Sequence, residues 1–487
     1  MFANFMPESV DYLRFLPEIL LSVFGIVIML LEALMPARAK RTSLGGVAFV
    51  AIVLAFLGNM WAASHPGPAF SNMIAVDSYG TFFRGLVLVV GALCILNSLG
   101  YMEREKAQSG EYYALILFSI VGQCVLATAA DLLMVFIGLE ISSIATYILA
   151  GYLRDDRRNN ESALKYFLLG SFATAFLLYG IAWIYGLTGS TNLEQIRSAL
   201  DQGSRSTLLA GLAAAFLFVG FAFKVSVVPF QIWAPDVYQG AASPVSAFMS
   251  AGPKAAAFAV FFRVFMVSFR PMNARWVWLV WGCALLTMII GNFAALLQTN
   301  VKRMLGYSSI AHAGYVLVAL AASSQIGIAA AMFYLAAYAL MNIGAFAVVS
   351  HIAARNERFV RIEDLAGLGR REPVTAALLA IFVFSLIGVP LTGGFFGKFY
   401  VFQAALNSHL VWLTVIGLIN SAIAAYYYLK IIVAIYMKDP GEAVEQLPPP
   451  AISLRIAIWA SALGVLILGV FPGTLLSIAT SSAAMFR

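Results

Sequence analysis

The feature that most restricts this chain is a succession of apolar runs joined by short polar loops. A helix crosses the hydrocarbon layer of a bilayer with about 20 apolar residues. An apolar window moved along the sequence finds fourteen candidate spans: 14–35, 44–64, 76–99, 112–129, 131–153, 160–187, 207–233, 243–269, 275–297, 303–322, 325–353, 374–408, 411–437 and 453–481. The chain is 487 residues long, 62% hydrophobic and 11% charged, with mean hydropathy +0.88, which excludes a soluble domain. These runs predict an all-α polytopic membrane protein with no separate soluble domain. The N-terminal stretch MFANFMPESVDYLRF carries Glu8 and Asp11 where a signal peptide has lysines, and no small-residue cleavage site follows. The first run therefore reads as a retained helix.

The net charge of +7 admits two explanations, an acidic partner or membrane orientation. Position decides between them. Alternate loops beginning with 36–43 hold Arg38, Lys40, Arg41, Arg104, Lys106, Arg154, Arg157, Arg158, Lys302, Arg303, Arg355, Arg358, Arg361, Arg370, Arg371, Lys438 and Arg455. The other loops and the termini hold only Arg14, Arg197, Arg205, Arg270, Arg275 and Arg487. Basic loops stay in the cytoplasm, so both termini are expected on the outer side of the cell's inner (plasma) membrane. Nucleic acid is not needed to explain the charge. Cys94, Cys124 and Cys283 fall inside apolar runs without CxxC or Cys/His spacing, and read as small buried hydrophobes.

Charges inside the spans carry the functional information. An ammonium in hydrocarbon is costly unless it faces protein, water or a counter-charge. Lys224 and Lys254 flank a stretch, KVSVVPFQIWAPDVYQGAASPVSAFMSAGPK, that contains Pro229, Pro235, Pro244 and Pro253. Irregular helix is expected near both lysines, because broken helices at membrane depth are tolerated where they line a wet cavity. Lys398 follows a second interruption at Pro390, Gly393 and Gly394, in a run longer than a bilayer requires. That run lacks the first glycine and the Ser/Thr of a phosphate-binding loop. Glu140 lies near the middle of its span and is the expected partner that sets the proton affinity of Lys224. His312, in YSSIAHAGYV, titrates in the range a relay needs. Lys165 and Lys430 lie nearer helix ends, where snorkelling to the interface competes with a relay role. Glu18 and Glu32 are expected at the interface, and Arg263 faces lipid, an acid or a partner. The candidate proton-transfer residues are Glu140, Lys165, Lys224, Lys254, His312, Lys398 and Lys430.

The runs WAPDVYQGAASPVSAF, YSSIAHAGYV and GVPLTGGFFGKF resemble the signature segments of the antiporter-like membrane subunits of respiratory complex I. The resemblance covers nearly the whole chain. It implies two five-helix repeats of inverted topology, spans four to eight and nine to thirteen, with spans seven and twelve broken. The chain then divides into 1–111, an N-terminal three-helix segment; 112–269, the first repeat; 270–437, the second; and 438–487, a C-terminal helix. The family's buried acid maps onto Glu140 and its central lysines onto Lys165, Lys224 and Lys254. The resemblance also implies no flavin, iron–sulfur cluster or nicotinamide in this chain; NADH, flavin, clusters and quinone belong to partner subunits, and the neighbours are other antiporter-like subunits. Two rivals share these features: a subunit of a multisubunit cation/proton antiporter or hydrogenase-type complex, and a structural membrane spacer whose charges only hold helices together.

Overall fold

The computed structural model describes residues 7–36, 41–202 and 206–486. Arg38, Lys40, Arg205 and Arg487 of the loop-charge sets lie outside the described residues. The apolar runs form helices throughout. α1 (Ser9–Arg14), α2 (Leu16–Leu34), α3 (Thr42–Ala63) and α4 (Ser78–Glu105) open the chain. Between α3 and α4, β1 (Gly67–Ala69) pairs antiparallel with β2 (Ile74–Val76), Gly67 opposite Val76. This hairpin is too short to show in a hydropathy pattern.

Next come α5 (Gly110–Thr128), α6 (Leu132–Ala150), α7 (Arg157–Thr188) and the short α8 (Leu193–Asp201). Side chains placed at the N-caps fix where these helices begin: Ser109, Asp131, Asp156 and Asn192 each accept from a backbone N–H of the first turn. α9 (Thr207–Lys224) then stops on its lysine, and helix resumes only at α10 (Trp233–Gly240). The N–H groups of Val225, Ser226 and Val227 bond back to α9 carbonyls, and side chains from elsewhere supply further partners. The Trp233 indole donates to the Phe223 carbonyl at 3.0 Å, and Val228 N–H donates to the Thr287 hydroxyl at 3.0 Å.

α11 (Ser243–Arg263) corrects one expectation. Helix around Lys254 is continuous despite Pro253, and only a π turn, Val264–Ser268, ends it. Proline removes the donor to the carbonyl four residues back. That carbonyl belongs to Met249, and the Tyr238 hydroxyl donates to it at 3.5 Å.

α12 (Asn273–Leu296), α13 (Val301–Ala321), α14 (Gln325–Ile352) and the single turn α15 (Leu368–Arg371) follow. The long run 374–408 is divided, as its glycines and proline predict, into α16 (Pro373–Ile387) and α17 (Gly393–Asn407). α18 (Val411–Met437), a turn α19 (Glu442–Glu445), α20 (Ile452–Val470) and α21 (Pro472–Ser482) complete the described chain. The run 453–481 is thus two helices rather than one span, because Pro472 begins a new one. Among the described residues, 13 helices are long and apolar enough to cross a membrane, and the broken pair α16–α17 supplies a further crossing.

α11 is buried along its entire apolar length, and α13 and α14 nearly so, whereas α2 and α7 bury roughly one face. The bundle therefore has an inner set of helices sealed from lipid. Its two ends differ as the loop charges predict. Lys106, Arg154, Arg157, Arg158 and Arg355 line one cavity at the basic end, while Arg14 caps the carbonyls of His65, Pro66 and Pro68 at the other.

Several span charges turn out to be paired. Glu18 does not reach an interface: it is fully buried against Arg84, with 2.6 Å between Oε1 and the guanidinium. Glu32 pairs with Arg41 and accepts from Gly110 N–H. Arg263 faces an acid, holding Asp77 through two hydrogen bonds of 2.7 and 3.0 Å.

Candidate functional site

Lys224 is the last residue of α9 and 4% exposed. Its ammonium donates to the Ser143 hydroxyl at 2.8 Å and the Tyr166 hydroxyl at 3.0 Å. Tyr166 is held in place by stacking on Trp233, with ring centroids 4.4 Å apart and planes 6° from parallel. Both acceptors are neutral hydroxyls.

Glu140 sits one turn before Ser143 on α6 but forms no ion pair with Lys224, which corrects the direct contact expected. Its Oε1 is buried and has no hydrogen-bond donor among the described residues. Ser143 stands where the carboxylate was expected, accepting from Lys224 while donating to the Leu139 carbonyl at 2.6 Å.

Lys254, 3% exposed, donates to the Ser309 hydroxyl and to the Ser309 carbonyl, the latter at 3.1 Å. Ser309 also lies beside Tyr238 and Tyr338. One turn along α13, His312 Nδ1 meets the Tyr334 hydroxyl at 2.6 Å and Nε2 the Tyr428 hydroxyl at 3.2 Å. Tyr428 in turn meets Ser308. The sequence SSIAH therefore places two serines and a histidine on one buried helix, facing hydroxyls from α10, α14 and α18.

Lys398 lies early in α17 and donates to the Leu386 and Ile387 carbonyls at 3.0 and 2.8 Å, and to the Ser421 hydroxyl at 2.8 Å. The two carbonyls are the orphan acceptors at the C-terminus of α16, where the helix dipole favours a cation. Lys398 also lies 5.1 Å from the Tyr315 ring centroid. Asn292 links Tyr315 at 3.3 Å to Tyr427 at 3.0 Å and to Asn420 at 3.4 Å. The rings of Tyr427 and Tyr428 are 4.4 Å apart, which brings this group beside His312.

Two expected members stand apart. Lys165 is 41% exposed and paired with Asp236 at 2.8 Å and Glu161 at 2.7 Å. Lys430 donates to the Leu296 carbonyl at 3.3 Å, lies 4.8 Å from the Tyr426 ring and lines an open cavity of about 510 Å³ at the basic end. The structure thus joins Lys254 and His312 through α13, sets Lys398 beside them through Tyr315 and Tyr427, and places Lys224 one aromatic layer away, through Tyr166, Trp233 and Tyr238. The rings of Trp233 and Tyr238 are 6.0 Å apart. Lys165 and Lys430 belong to the rim.

Sequence reasoning missed the tyrosines and asparagines, which are unremarked among so many aromatic residues until the fold aligns them. It also counted Lys302 as a loop charge. Lys302 is fully buried and pairs with Glu357; its position at the start of an apolar run was the available signal. Cys94, Cys124 and Cys283 are buried on three different helices. Among the described residues no cluster of His, Cys, Asp or Glu is placed to hold a metal ion.

A sealed bundle with two interrupted helices and lysines bonded to hydroxyls defines an antiporter-like membrane subunit. The family described as NADH:quinone oxidoreductase/Mrp antiporter, TM, matches residues 129–424. The chain is 59% identical over 477 residues to NADH-quinone oxidoreductase subunit N 1 of Solibacter usitatus, covering 98% of both chains. It belongs to the subunit N family of NADH-quinone oxidoreductase. Among solved structures, a chain of respiratory complex I from Thermus thermophilus with bound aureothin superposes with TM-score 0.81 at 34% identity, over 95% of this chain and 99% of that one. A chain of the Mrp complex from Dietzia sp. superposes with TM-score 0.82 at 22% identity, over 96% and 97%. The second likeness concerns the fold alone.

Proposed function

We propose that this chain is a proton-translocating membrane subunit of a respiratory NADH:quinone oxidoreductase, driven by redox chemistry in other subunits. The observation that carries this is the buried run of titratable and hydroxyl groups from Lys224 through Lys254 and His312 to Lys398, inside helices sealed from lipid. A spacer has no use for four buried titratable groups bonded mainly to hydroxyls and carbonyls; an ion pair or an apolar residue holds helices more cheaply. The cation/proton antiporter alternative shares the fold, but 59% identity over 98% of the chain lies with a subunit N.

Glu140, Lys224, Lys254, His312 and Lys398 carry the proton, with Lys165 and Lys430 at the margins. The divisions 112–269 and 270–437 are two inverted repeats. Support comes from the matched interruptions, each with a Val-Pro step (Val228–Pro229 and Val389–Pro390), and from close packing of α5 on α6 and of α12 on α13. Both termini face the outer side of the inner membrane. NADH, flavin, iron–sulfur clusters and quinone are bound by partner subunits, and this chain contacts neighbouring antiporter-like subunits and lipid.

The test is Lys224→Ala in membrane vesicles containing the whole complex. The expected result is an assembled complex whose NADH-driven quinone reduction and proton pumping both fall severely. Normal pumping in that assembled variant would refute the role.

A further inference from the structure

At the basic end, a charged cavity of about 960 Å³ is lined by Glu105, Glu111, Arg154, Asp156 and Arg158, with Glu357 among its wall residues. Glu357 itself is only 8% exposed. Its carboxylate accepts from the Tyr101 hydroxyl of α4 at 2.9 Å, from Ser243 N–H and hydroxyl at the start of α11 at 2.7 and 2.6 Å, and from Lys302 of α13. The loop that delivers it is strained: Ala354, Asn356 and Glu357 have φ of +54°, +57° and +50°. Strain of this kind is costly and persists only where surroundings impose it.

Lys302 is fully buried and faces the other way. Besides Glu357 it donates to the Ala241 carbonyl, which also accepts from the Ser246 hydroxyl at 3.5 Å. Ser246 and Lys254 are about two turns apart on α11, roughly 12 Å. Polar atoms occupy that interval: the Tyr238 hydroxyl on the Met249 carbonyl, Ser250 bonded to Asn342, and Ser309 on Lys254. A charged cavity, a buried ion pair, an interval with polar side chains and Lys254 thus lie in that order.

We propose that the Glu357–Lys302 pair is the proton-uptake relay that feeds Lys254 from the basic side of the membrane. This rests on the proton-translocation reading above. The Ser246 hydroxyl is held on the Tyr238 carbonyl at 2.8 Å, so Lys302 passes one proton inward to a neutral Lys254 through water entering the interval that holds the Ser246, Tyr238 and Ser309 hydroxyls, each group receiving one proton as it gives one up. Glu357 is then a buried carboxylate without its counter-charge, which is costly. It takes a proton from cavity water and returns it to Lys302, restoring the pair. Tyr101, Arg104 and Glu105 of α4, Asp156 and Arg158 of the 151–158 segment, and Arg355 of its own loop supply the remaining charged and titratable surroundings.

A structural staple is the competing role, and the double variant Glu357→Gln with Lys302→Met separates the two. Replacing both members of a buried ion pair by neutral residues commonly preserves folding. In vesicles containing the whole complex, NADH oxidation by ferricyanide reports assembly, and dye quenching reports pumping. The relay predicts an assembled double variant with pumping and quinone-linked turnover reduced at least tenfold. It also predicts that Glu357→Ala regains turnover when formate, a small weak acid that fits the cavity, is added. An assembled double variant that pumps normally overturns the relay, and so does a failure to assemble, which marks the pair as a staple. Lys224→Ala in the same vesicles is the control. If it loses pumping while the double variant pumps, only the relay is wrong; if it too pumps normally, the translocation reading has failed.

Discussion

The hydroxyl of Tyr238 donates to the carbonyl of Met249, the one acceptor in α11 that Pro253 leaves without its helical donor. The preceding helix, from the far side of the Ala241–Ala242 interruption, thereby repairs the helix that carries Lys254. Tyr238→Phe keeps the ring packing and orphans that carbonyl. The expected cost is about 0.5–1.5 kcal/mol, read as a lower thermal midpoint of the solubilised complex. In a Pro253→Ala background the backbone N–H returns, and the same tyrosine substitution should cost clearly less. Equal losses in both backgrounds would show that the hydroxyl serves something else.

Lys224 has two neutral acceptors, and removing one tests whether they set its proton affinity. Tyr166→Phe retains the stack on Trp233 and takes away the 3.0 Å hydrogen bond. A hydrogen bond to a charged group contributes about 1.5–3 kcal/mol. The expected outcome is unchanged assembly with pumping-coupled turnover reduced on the order of tenfold, and a shifted pH optimum. Ser143→Ala should produce a similar change, and an unaltered pH profile in both variants would count against a tuning role.

How much of this was legible beforehand follows from what hydropathy records. Span limits were readable because lipid requires apolar length, and α18 falls on 411–437 as expected. Broken helices at Lys224 and Lys398 were readable because proline and glycine have local consequences. Continuity through Pro253 was not, because its repair comes from Tyr238, 15 residues away in sequence and across a break. Pairing was the least legible property. Glu18 with Arg84, Arg263 with Asp77 and Lys302 with Glu357 are separated by 66, 186 and 55 residues, and hydropathy carries no distances. For the same reason the expected Glu140–Lys224 contact resolved into a serine-bonded lysine and an unpartnered carboxylate oxygen.

Asp77 has two duties: its carboxylate caps α4 through Gly80 N–H at 2.6 Å and holds Arg263 from the end of α11. Asp77→Asn retains a capping oxygen but removes the charge, isolating the ion pair. Leaving a buried guanidinium unpaired costs about 3–5 kcal/mol. Marked loss of assembled complex is therefore expected, measured as subunit content of washed membranes. Adding Arg263→Met removes the stranded charge and should restore most of the assembly. Persistent loss in the double variant would mean that Arg263 is needed for its own sake.

Glu357 gives the bundle an acid-sensitive point outside its spans. Burial alone raises its pKa, but the charge of Lys302 and the hydrogen bonds from Lys302 and Ser243 outweigh that, holding the carboxyl below its ordinary value of 4.5. A carboxyl lowered in the folded state stabilises fully above the unfolded value, and the contribution disappears as pH falls through the folded one. The thermal midpoint of the wild-type complex minus that of Glu357→Gln should therefore stay constant from pH 8 to about 5 and shrink only below about 4.5. Had burial won, the difference would instead rise as pH fell toward that value, because the folded protein would take up the Glu357 proton first and be stabilised by it. Differential scanning of the two solubilised complexes across this range distinguishes the two cases, and a difference that rises as pH falls from neutral would show that Lys302 does not hold the carboxylate ionised.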